Sequence, residues 1–210
     1  DMAGGGAGAG DASQSLGSKD IEVGAMGVDI LCFTGHKGLH GPTGTGGLYI
    51  RRGMDVAPLR YGGTSVLSYS FDMPGTMPDR LEAGTPNMAG IAGLLAALEN
   101  PVEPQHRKDD FMQLLQSVKD IDGVKVYCAC DAECQGELFS FTYEGHASSK
   151  IAEMLFERYG IECRSGIHCA PLAHSYLETG ESGTVRLSLS PYHTREDLDY
   201  LMNSIREICV

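Results

Sequence analysis

The sequence predicts an α/β protein in two parts, a first part built on short β-strands and a C-terminal α+β domain. Apolar residues make up 42% of the 210 residues, which is enough to bury a core. The first half has short β-prone runs between glycine-rich segments, and the second half alternates amphipathic helical segments with strand-like runs. We expect an irregular start over residues 1–10, a first domain over 11–100 and a second over 101–210.

The charge and hydropathy of the chain limit its function. Its net charge of −12 and isoelectric point near 4.9 argue against binding to nucleic acid or to anionic membranes. No apolar stretch approaches the roughly 20 residues that span a bilayer, and the first residues lack the pattern of a signal peptide. We therefore expect a cytoplasmic protein that binds small molecules.

The seven cysteines are scattered and odd in number, which indicates reduced thiols and not a disulfide framework. Cys128, Cys130 and Cys134 have the spacing C-x-C-x3-C, which lacks the paired C-x2-C of common zinc sites. We consider a zinc-bound scaffold as an alternative, and expect no metal site.

In the first part, residues 1–10 are mostly Gly and Ala and have no apolar periodicity. The run VDILCF (28–33) predicts a strand, and GGLYIRR (46–52) predicts a second strand after a glycine-rich segment. The segment FTGHKG follows the first strand, so Lys37 is expected in a loop between two strands.

A long polar loop and a helix complete the first part. Residues 60–87 are rich in turn-forming Gly and Pro, which predicts a surface or interface loop. Residues 88–98 favour a helix with Asn87 as its N-cap, and ENPVEPQ then forms a linker.

The second part alternates helices and strands. Helices are predicted over 105–119 and 148–159, with Ser148 as the cap of the second, and strands over 124–128, 137–143, 161–165 and 184–190. The last helix is predicted to begin after Thr194, which forms a capping box with Asp197. Its apolar stripe is expected to consist of Leu198, Leu201, Ile205 and Ile208.

Lys37 stands among residues that suit a bound ligand. A lone loop lysine is usually only solvated, but the surrounding glycines let a ligand approach the backbone, and Thr34 and His36 can donate to a phosphate. Upstream, the segment DASQ offers the carboxylate of Asp11 and the amide of Gln14. The alternative interpretation of DASQ is a helix N-cap.

Five sequence segments, in order along the chain, resemble a known family. DASQSLG, FTGHKGLHGPTGTGGLYIR, LEAGTPN and RSGIHCAPLAH, followed by GTVRLSLSPYHTREDLDYL, resemble class V aminotransferase-fold enzymes. Within that superfamily the chain is similar to the cysteine desulfurase and selenocysteine lyase branch. The resemblance implies the fold type I of pyridoxal-phosphate-dependent transferases, with part of the large domain and the whole small domain.

The resemblance implies a role for several residues. Lys37 would hold pyridoxal 5′-phosphate as a Schiff base and move the substrate α-proton. Four residues would contact the same cofactor, namely Asp11 at the pyridine nitrogen, Gln14 at the ring oxygen, and Thr34 and His36 at the phosphate. Thr85 would reach the cofactor phosphate of a partner subunit in a homodimer, which would place the long loop at the dimer interface.

The same resemblance assigns Cys169 as the sulfur-accepting nucleophile, in a polar loop. A thiolate is favoured by positive charge nearby, and Arg164 and His168 lie five and one residues before it. Arg164 and Arg186 would hold the substrate α-carboxylate. Val185 and Leu187 point to the opposite face of the strand from Arg186, so the strand presents one charge on its own.

The implied activity is the conversion of L-cysteine, or of a related amino acid such as selenocysteine, to L-alanine. Cys169 would carry the persulfide and pass it to an acceptor protein or thiol. Two alternatives stay open: a class V aminotransferase or epimerase that does not use Cys169, and an inactive chain that only binds partners.

The family's other half matters for these roles. Family members are roughly twice as long, and their first half supplies the phosphate-binding turn at a helix N-terminus and the aromatic group that stacks on the ring. The resemblance therefore implies that this chain corresponds to the C-terminal part of such an enzyme, whose other half is supplied by another chain or is lost.

Overall fold

The structure is a computed structural model that describes residues 7–64 and 66–209. Its contacts divide the chain into two compact units, Asp1–Pro101 and Val102–Val210. Each unit carries its own β-sheet, and each is described by itself. The longest helix in the described ranges has 14 residues, and no helix there is long and apolar enough to cross a membrane.

The first unit contains a three-stranded sheet with the order β1-β2-β3. Strand β1 is Ala9–Asp11, β2 is Ile30–Thr34 and β3 is Gly46–Ile50. β1 runs parallel to β2, and β2 runs antiparallel to β3. The two predicted strands are confirmed, and Lys37 lies in the segment that joins them.

The prediction of an irregular start is wrong for Ala9 and Gly10, which lie in β1. Small side chains fit here because a Cβ on Gly10 would already lie 3.0 Å from Leu31 Cδ1. The Asp29 carboxylate also accepts a hydrogen bond of 2.6 Å from the Gly8 N–H and holds the approach to the strand. Residues 1–6 lie outside the described ranges.

Two helices belong to the first unit. The short α1, Val23–Met26, lies between β1 and β2 and was not predicted from the sequence. Helix α2 is Met88–Glu99, and the Asn87 side chain accepts a hydrogen bond of 3.1 Å from the Gly90 N–H, which confirms the predicted N-cap. The loop before α2 contains one 3-10 turn, Asp79–Leu81.

The second unit packs helices against a four-stranded antiparallel sheet of order β4-β5-β7-β6. In chain order its elements are α3 Lys108–Lys119, β4 Val124–Tyr127, β5 Leu138–Tyr143, α4 Ser148–Tyr159, β6 Arg164–Gly166, α5 Pro171–Tyr176, β7 Thr184–Ser188 and α6 Arg195–Ile208. The core lies between the sheet and helices α3, α4 and α6, with Phe111, Phe139, Phe141, Leu155 and Ile205 almost fully buried.

The helix ends of the second unit confirm one cap that the sequence predicts and contradict another. The capping box of Thr194 with Asp197 is present at the start of α6, and all four residues of its predicted apolar stripe are buried. The predicted Ser148 cap is wrong: Ala147 is the N-cap, and the Ser148 hydroxyl instead donates to the Ser182 carbonyl and ties down a loop. Helix α5 was predicted as a polar loop.

Candidate active site

In the first unit, the end of β1 and the end of β2 bring two predicted site segments together. Because parallel strands end at the same edge of a sheet, Asp11 and the segment that holds Lys37 lie at one edge. The Thr34 hydroxyl donates a hydrogen bond of 3.3 Å to the Ser13 carbonyl, which joins the two segments directly. A phosphate contact from Thr34 would require this hydroxyl to rotate.

Two glycines allow the segments to pack backbone against backbone. Gly17 has φ 92°, and a Cβ at this position would lie 2.3 Å from the Gly38 carbonyl carbon. A Cβ on Gly38 would lie 2.6 Å from the Leu16 carbonyl oxygen. Any side chain at either position would separate the turn after Asp11 from the Lys37 loop.

The Asp11 carboxylate is held as an anion. Its Oδ1 accepts a hydrogen bond of 2.8 Å from the Ser13 N–H. The hydroxyl and N–H of Ser13 lower the pKa of Asp11 most, and the Lys37 ammonium lowers it further. The alternative N-cap role is not observed, because residues 13–19 form turns and an isolated bridge and not a helix. Asp11 thus provides a fixed negative charge beside the lysine loop.

Helix α2 packs closely against the loop that holds Lys37. The Gly41 N–H donates to the Gly35 carbonyl at 2.7 Å and closes the loop. A Cβ on Gly41 would lie 2.6 Å from Leu94 Cδ1, and a Cβ on Gly93 would lie 2.6 Å from Pro42 Cγ. The glycines of the loop and of α2 therefore let the helix approach closely, and Lys37 in this loop is exposed.

The other predicted cofactor residues of this unit lie on the surface. Gln14 and His36 are exposed beside Asp11 and Lys37 in the chain. Thr85 is exposed in the long loop before α2, and no contact joins it to the Lys37 loop among the described hydrogen bonds. The structure thus gathers Asp11, Thr34 and Lys37, and no described hydrogen bond adds Thr85 to them.

In the second unit, Arg164 and Arg186 are direct neighbours across β6 and β7. Like charges placed opposite each other destabilise a sheet, unless an anion lies between them. The Arg186 Nε is buried and has no hydrogen-bond partner in the described part of the chain. Since Val185 and Leu187 are buried in the core, the arginine faces away from it, as predicted. The pair is suited to bind a carboxylate.

Cys169 lies beside this arginine pair. Its exposed Sγ accepts a hydrogen bond of 3.6 Å from Arg164 Nη2. The expectation that His168 adds positive charge is not supported, because burial, and then the Arg186 charge, lower the pKa of His168. The guanidinium that lies beside the Cys169 sulfur is therefore that of Arg164.

Sequence reasoning missed Ser13 and Gly17, and it assigned Gly38 to the approach of a ligand and not to a contact with Gly17. A serine two residues after an aspartate is typical of an Asx-turn, so Ser13 had a recognisable signal. The contact between the two glycines had no signal, because it depends on two segments 21 residues apart. In the described ranges, no group of three or more His, Cys, Asp or Glu side chains is arranged to hold a metal ion. Cys128, Cys130 and Cys134 lie within these ranges and do not form such a group.

The sequence profile of the aminotransferase class-V family matches residues 8–201. The chain is 36% identical over 209 residues to a probable cysteine desulfurase of Methanothermobacter thermautotrophicus, covering 94% of this chain and 52% of that protein. It is 36% identical over 202 residues to the cysteine desulfurase CsdA of Escherichia coli, covering 93% and 49%. The chain thus spans about half the length of these relatives.

Solved structures show the same fold. The apo structure of a cysteine desulfurase from Thermococcus onnurineus superposes with a TM-score of 0.79 at 28% identity, covering 98% of this chain and 53% of that one. The structure of the cysteine desulfurase CsdA from Escherichia coli superposes with a TM-score of 0.73 at 28% identity, covering 95% of this chain and 51% of that one. The predicted α/β fold class, with part of the large domain and a small domain, is confirmed.

Proposed function

Since this chain belongs to the aminotransferase class-V family, we propose that it is the lysine- and cysteine-bearing part of a cysteine desulfurase that uses pyridoxal phosphate. The observation that carries the proposal is the Cys169 sulfur 3.6 Å from the Arg164 guanidinium. An aminotransferase or epimerase of the same family does not need an exposed thiol beside a guanidinium.

The residues of the first unit fit this cofactor. Pyridoxal phosphate, when bound, supplies an electron-poor ring that accepts electron density from the substrate α-carbon. Asp11, with its lowered pKa, would keep the ring nitrogen protonated. Lys37 would hold the cofactor covalently and carry the α-proton at Nζ. Gln14 would donate to the ring oxygen, and Thr34 and His36 to the phosphate.

The residues of the second unit would bind and cleave the substrate. Arg164 and Arg186 would hold its α-carboxylate with their guanidinium forks. The Cys169 thiolate would form a bond to the substrate sulfur as the bond from that sulfur to Cβ breaks. L-alanine would leave after Cβ gains a proton, and the persulfide on Cys169 would pass to an acceptor protein or thiol.

The lysine assignment is tested by adding pyridoxal phosphate to the purified chain. We expect the near-visible absorbance of the lysine-bound cofactor, and its loss in Lys37→Ala. Lys19→Ala serves as the matched control, since Lys19 precedes the loop. If the unchanged chain binds no cofactor, the alternative of a chain that only binds partners is favoured.

The cysteine assignment is tested by measuring sulfide and alanine release from L-cysteine. We expect Cys169→Ser to abolish sulfide release and to keep cofactor binding, while Cys130→Ser keeps both. Unchanged turnover in Cys169→Ser would favour the aminotransferase or epimerase alternative. Comparing selenocysteine with cysteine in the same assay identifies the preferred substrate.

We also infer that the chain works as a homodimer. The long loop of the first unit leaves large apolar side chains in solvent: Tyr69 and Phe71 are fully exposed, and Leu59, directly before the loop, is 94% exposed. Side chains of this size clustered on one segment are typical of an interaction surface. Thr85, in the same loop, would reach the partner subunit's cofactor.

Mixing two variants tests this arrangement. If Thr85 acts across the dimer, Lys37→Ala and Thr85→Ala subunits should each bind the cofactor poorly, and their mixture should recover about a quarter of the sites. Thr76→Ala, elsewhere in the loop, is the control that should not change binding. No recovery in a mixture shown by sedimentation to contain mixed dimers would place Thr85 within its own subunit's site.

A further inference from the structure

The Cys169 thiol is presented by an unfavourable turn. The Ala170 N–H donates a hydrogen bond of 2.9 Å to the Ile167 carbonyl, and the two residues between them, His168 and Cys169, have φ of 53° and 61°. Positive φ at both central positions is the mark of a type I′ turn, which favours Asn and Gly. Neither residue is of that kind, so other contacts must hold the turn.

One such contact ties His168 to strand β7. His168 Nε2 lies 3.0 Å from the Thr184 carbonyl oxygen and 3.1 Å from the Thr184 hydroxyl. Since a carbonyl oxygen only accepts, Nε2 carries the proton and donates. Thr184 is 1% exposed at the start of β7 and pairs with Gly166 of β6, so the tether ends on rigid structure.

A second histidine, His174, packs against the ring of His168. The ring of His174, in α5, is buried and lies 5.6 Å from the His168 ring between centroids. Its Nδ1 lies 2.7 Å from the Thr179 hydroxyl, which fixes the orientation of the ring. His174 thus limits the space into which the His168 ring could swing.

We infer that His168 is a positioning residue: its hydrogen bond to Thr184, braced by His174, holds the strained turn that keeps the Cys169 sulfur beside Arg164. The relevance of this geometry to sulfur transfer rests on the proposed function. The geometry itself contains no cofactor or substrate atom, because every contact in it joins two residues of the second unit.

Alkylation of Cys169 by iodoacetamide, followed by peptide mass spectrometry, measures this geometry. In the unchanged chain, Arg164→Gln should slow alkylation about fivefold, because the thiolate loses its neighbouring cation. In a His168→Phe background, which keeps a ring against His174 but loses the donor, Arg164→Gln should change the rate less than twofold. We call the slowing of Cys169 alkylation by Arg164→Gln the Arg164 effect. His168→Gln, whose amide can donate to the Thr184 carbonyl, should restore most of this effect.

The exposed thiols Cys130 and Cys134 are internal controls, since their alkylation rates should be equal in all variants if the fold is intact. If His168→Phe does not fold, His168→Leu replaces it, because leucine also lacks the donor, and should reduce the Arg164 effect. An Arg164 effect of equal size in folded His168→Phe or His168→Leu overturns the inference. A chain that makes no sulfide but shows this coupling would overturn the proposed function and leave the inference standing.

Discussion

At the scale of single residues, the charge of Asp11 depends on its neighbour Ser13 more than on Lys37. The Ser13 hydroxyl and N–H stabilise the carboxylate at short range, whereas the exposed ammonium acts through solvent. Ser13 therefore adds to the stabilisation of the carboxylate that is proposed to pair with the pyridine nitrogen.

We predict that Ser13→Ala raises the pKa of Asp11 toward its ordinary value of 3.8, because the hydroxyl is lost and only the backbone N–H remains. The carboxylate then accepts a proton at a higher pH than in the unchanged chain. Titration of the carboxyl carbon by NMR measures this. Ser18→Ala is the control, since Ser18 donates only to the Gln14 and Ser15 carbonyls. An equal pKa in Ser13→Ala would contradict the assignment.

At the scale of elements, strands β6 and β7 are joined by a close contact between glycines. Gly183 has φ 64°, and a Cβ there would lie 2.3 Å from the carbonyl carbon of Gly166. Gly166 directly precedes the cysteine turn, so this contact fixes where the turn leaves the sheet.

We predict that Gly183→Ala lowers the free energy of unfolding by more than about 1 kcal/mol, because the methyl group has no space and the φ is unfavourable. Gly180→Ala is the matched control, since nothing lies within 4 Å of its Cβ. That variant should stay within about 0.5 kcal/mol of the unchanged chain in urea denaturation. Equal stability of the two variants would show that β7 can shift away from Gly166.

Helix α6 carries a charge-dependent cap. The Thr194 N–H and hydroxyl both donate to the Asp197 carboxylate, at 2.8 and 2.9 Å, and they lower the pKa of Asp197. A carboxyl whose pKa is lowered by folding adds stability above its unfolded pKa, and this stability is lost as the pH falls through the lower folded value.

We predict that Asp197→Asn lowers the free energy of unfolding by about 0.5 kcal/mol at pH 7, because the negative charge at the helix N-terminus is lost. The difference from the unchanged chain should shrink as the pH falls below about 4. Urea denaturation at pH 7 and at pH 3 measures both values. Asp122→Asn, an exposed aspartate in a turn outside α6, is the control and should change the free energy of unfolding little at either pH. A difference that persists unchanged at low pH would argue against a charge effect.

At the scale of the whole molecule, the two units bury apolar surface very unequally. The apolar core cluster lies wholly in the second unit, whereas in the described part of the first unit the buried apolar side chains are Ala12, Leu31 and Pro74. Helix α2 has Met88, Ile91, Leu95 and Leu98 exposed. The first unit therefore depends more on a covering surface than the second does.

We predict that amide hydrogen exchange is slowest in α3, β5, β7 and α6, and much faster in α2 and the first sheet at low protein concentration. If a second copy covers the exposed loop and α2, raising the concentration should protect α2 and leave α6 unchanged. Rapid exchange of α2 at a concentration where the chain is dimeric would exclude α2 from the interface.

The sequence alone determined the alternation of Val185, Arg186 and Leu187, the caps at Asn87 and Thr194, and the family motifs. These are local patterns, set by the period of a strand or by hydrogen bonds over three residues. The family resemblance also indicated Lys37 and Cys169 as the reactive residues. Local patterns failed where the chain has little local preference, as at Ala9 and Gly10.

Only the tertiary structure decided how distant segments meet. The register of β6 against β7 places Arg164 opposite Arg186, and the contact of Gly17 with Gly38 brings the Asp11 turn to the Lys37 loop. Burial then makes His168 a neutral tether and leaves the charge beside Cys169 to Arg164. Strand register, backbone approach and solvent exclusion arise from the packing of separate segments, so no single stretch of sequence contains them.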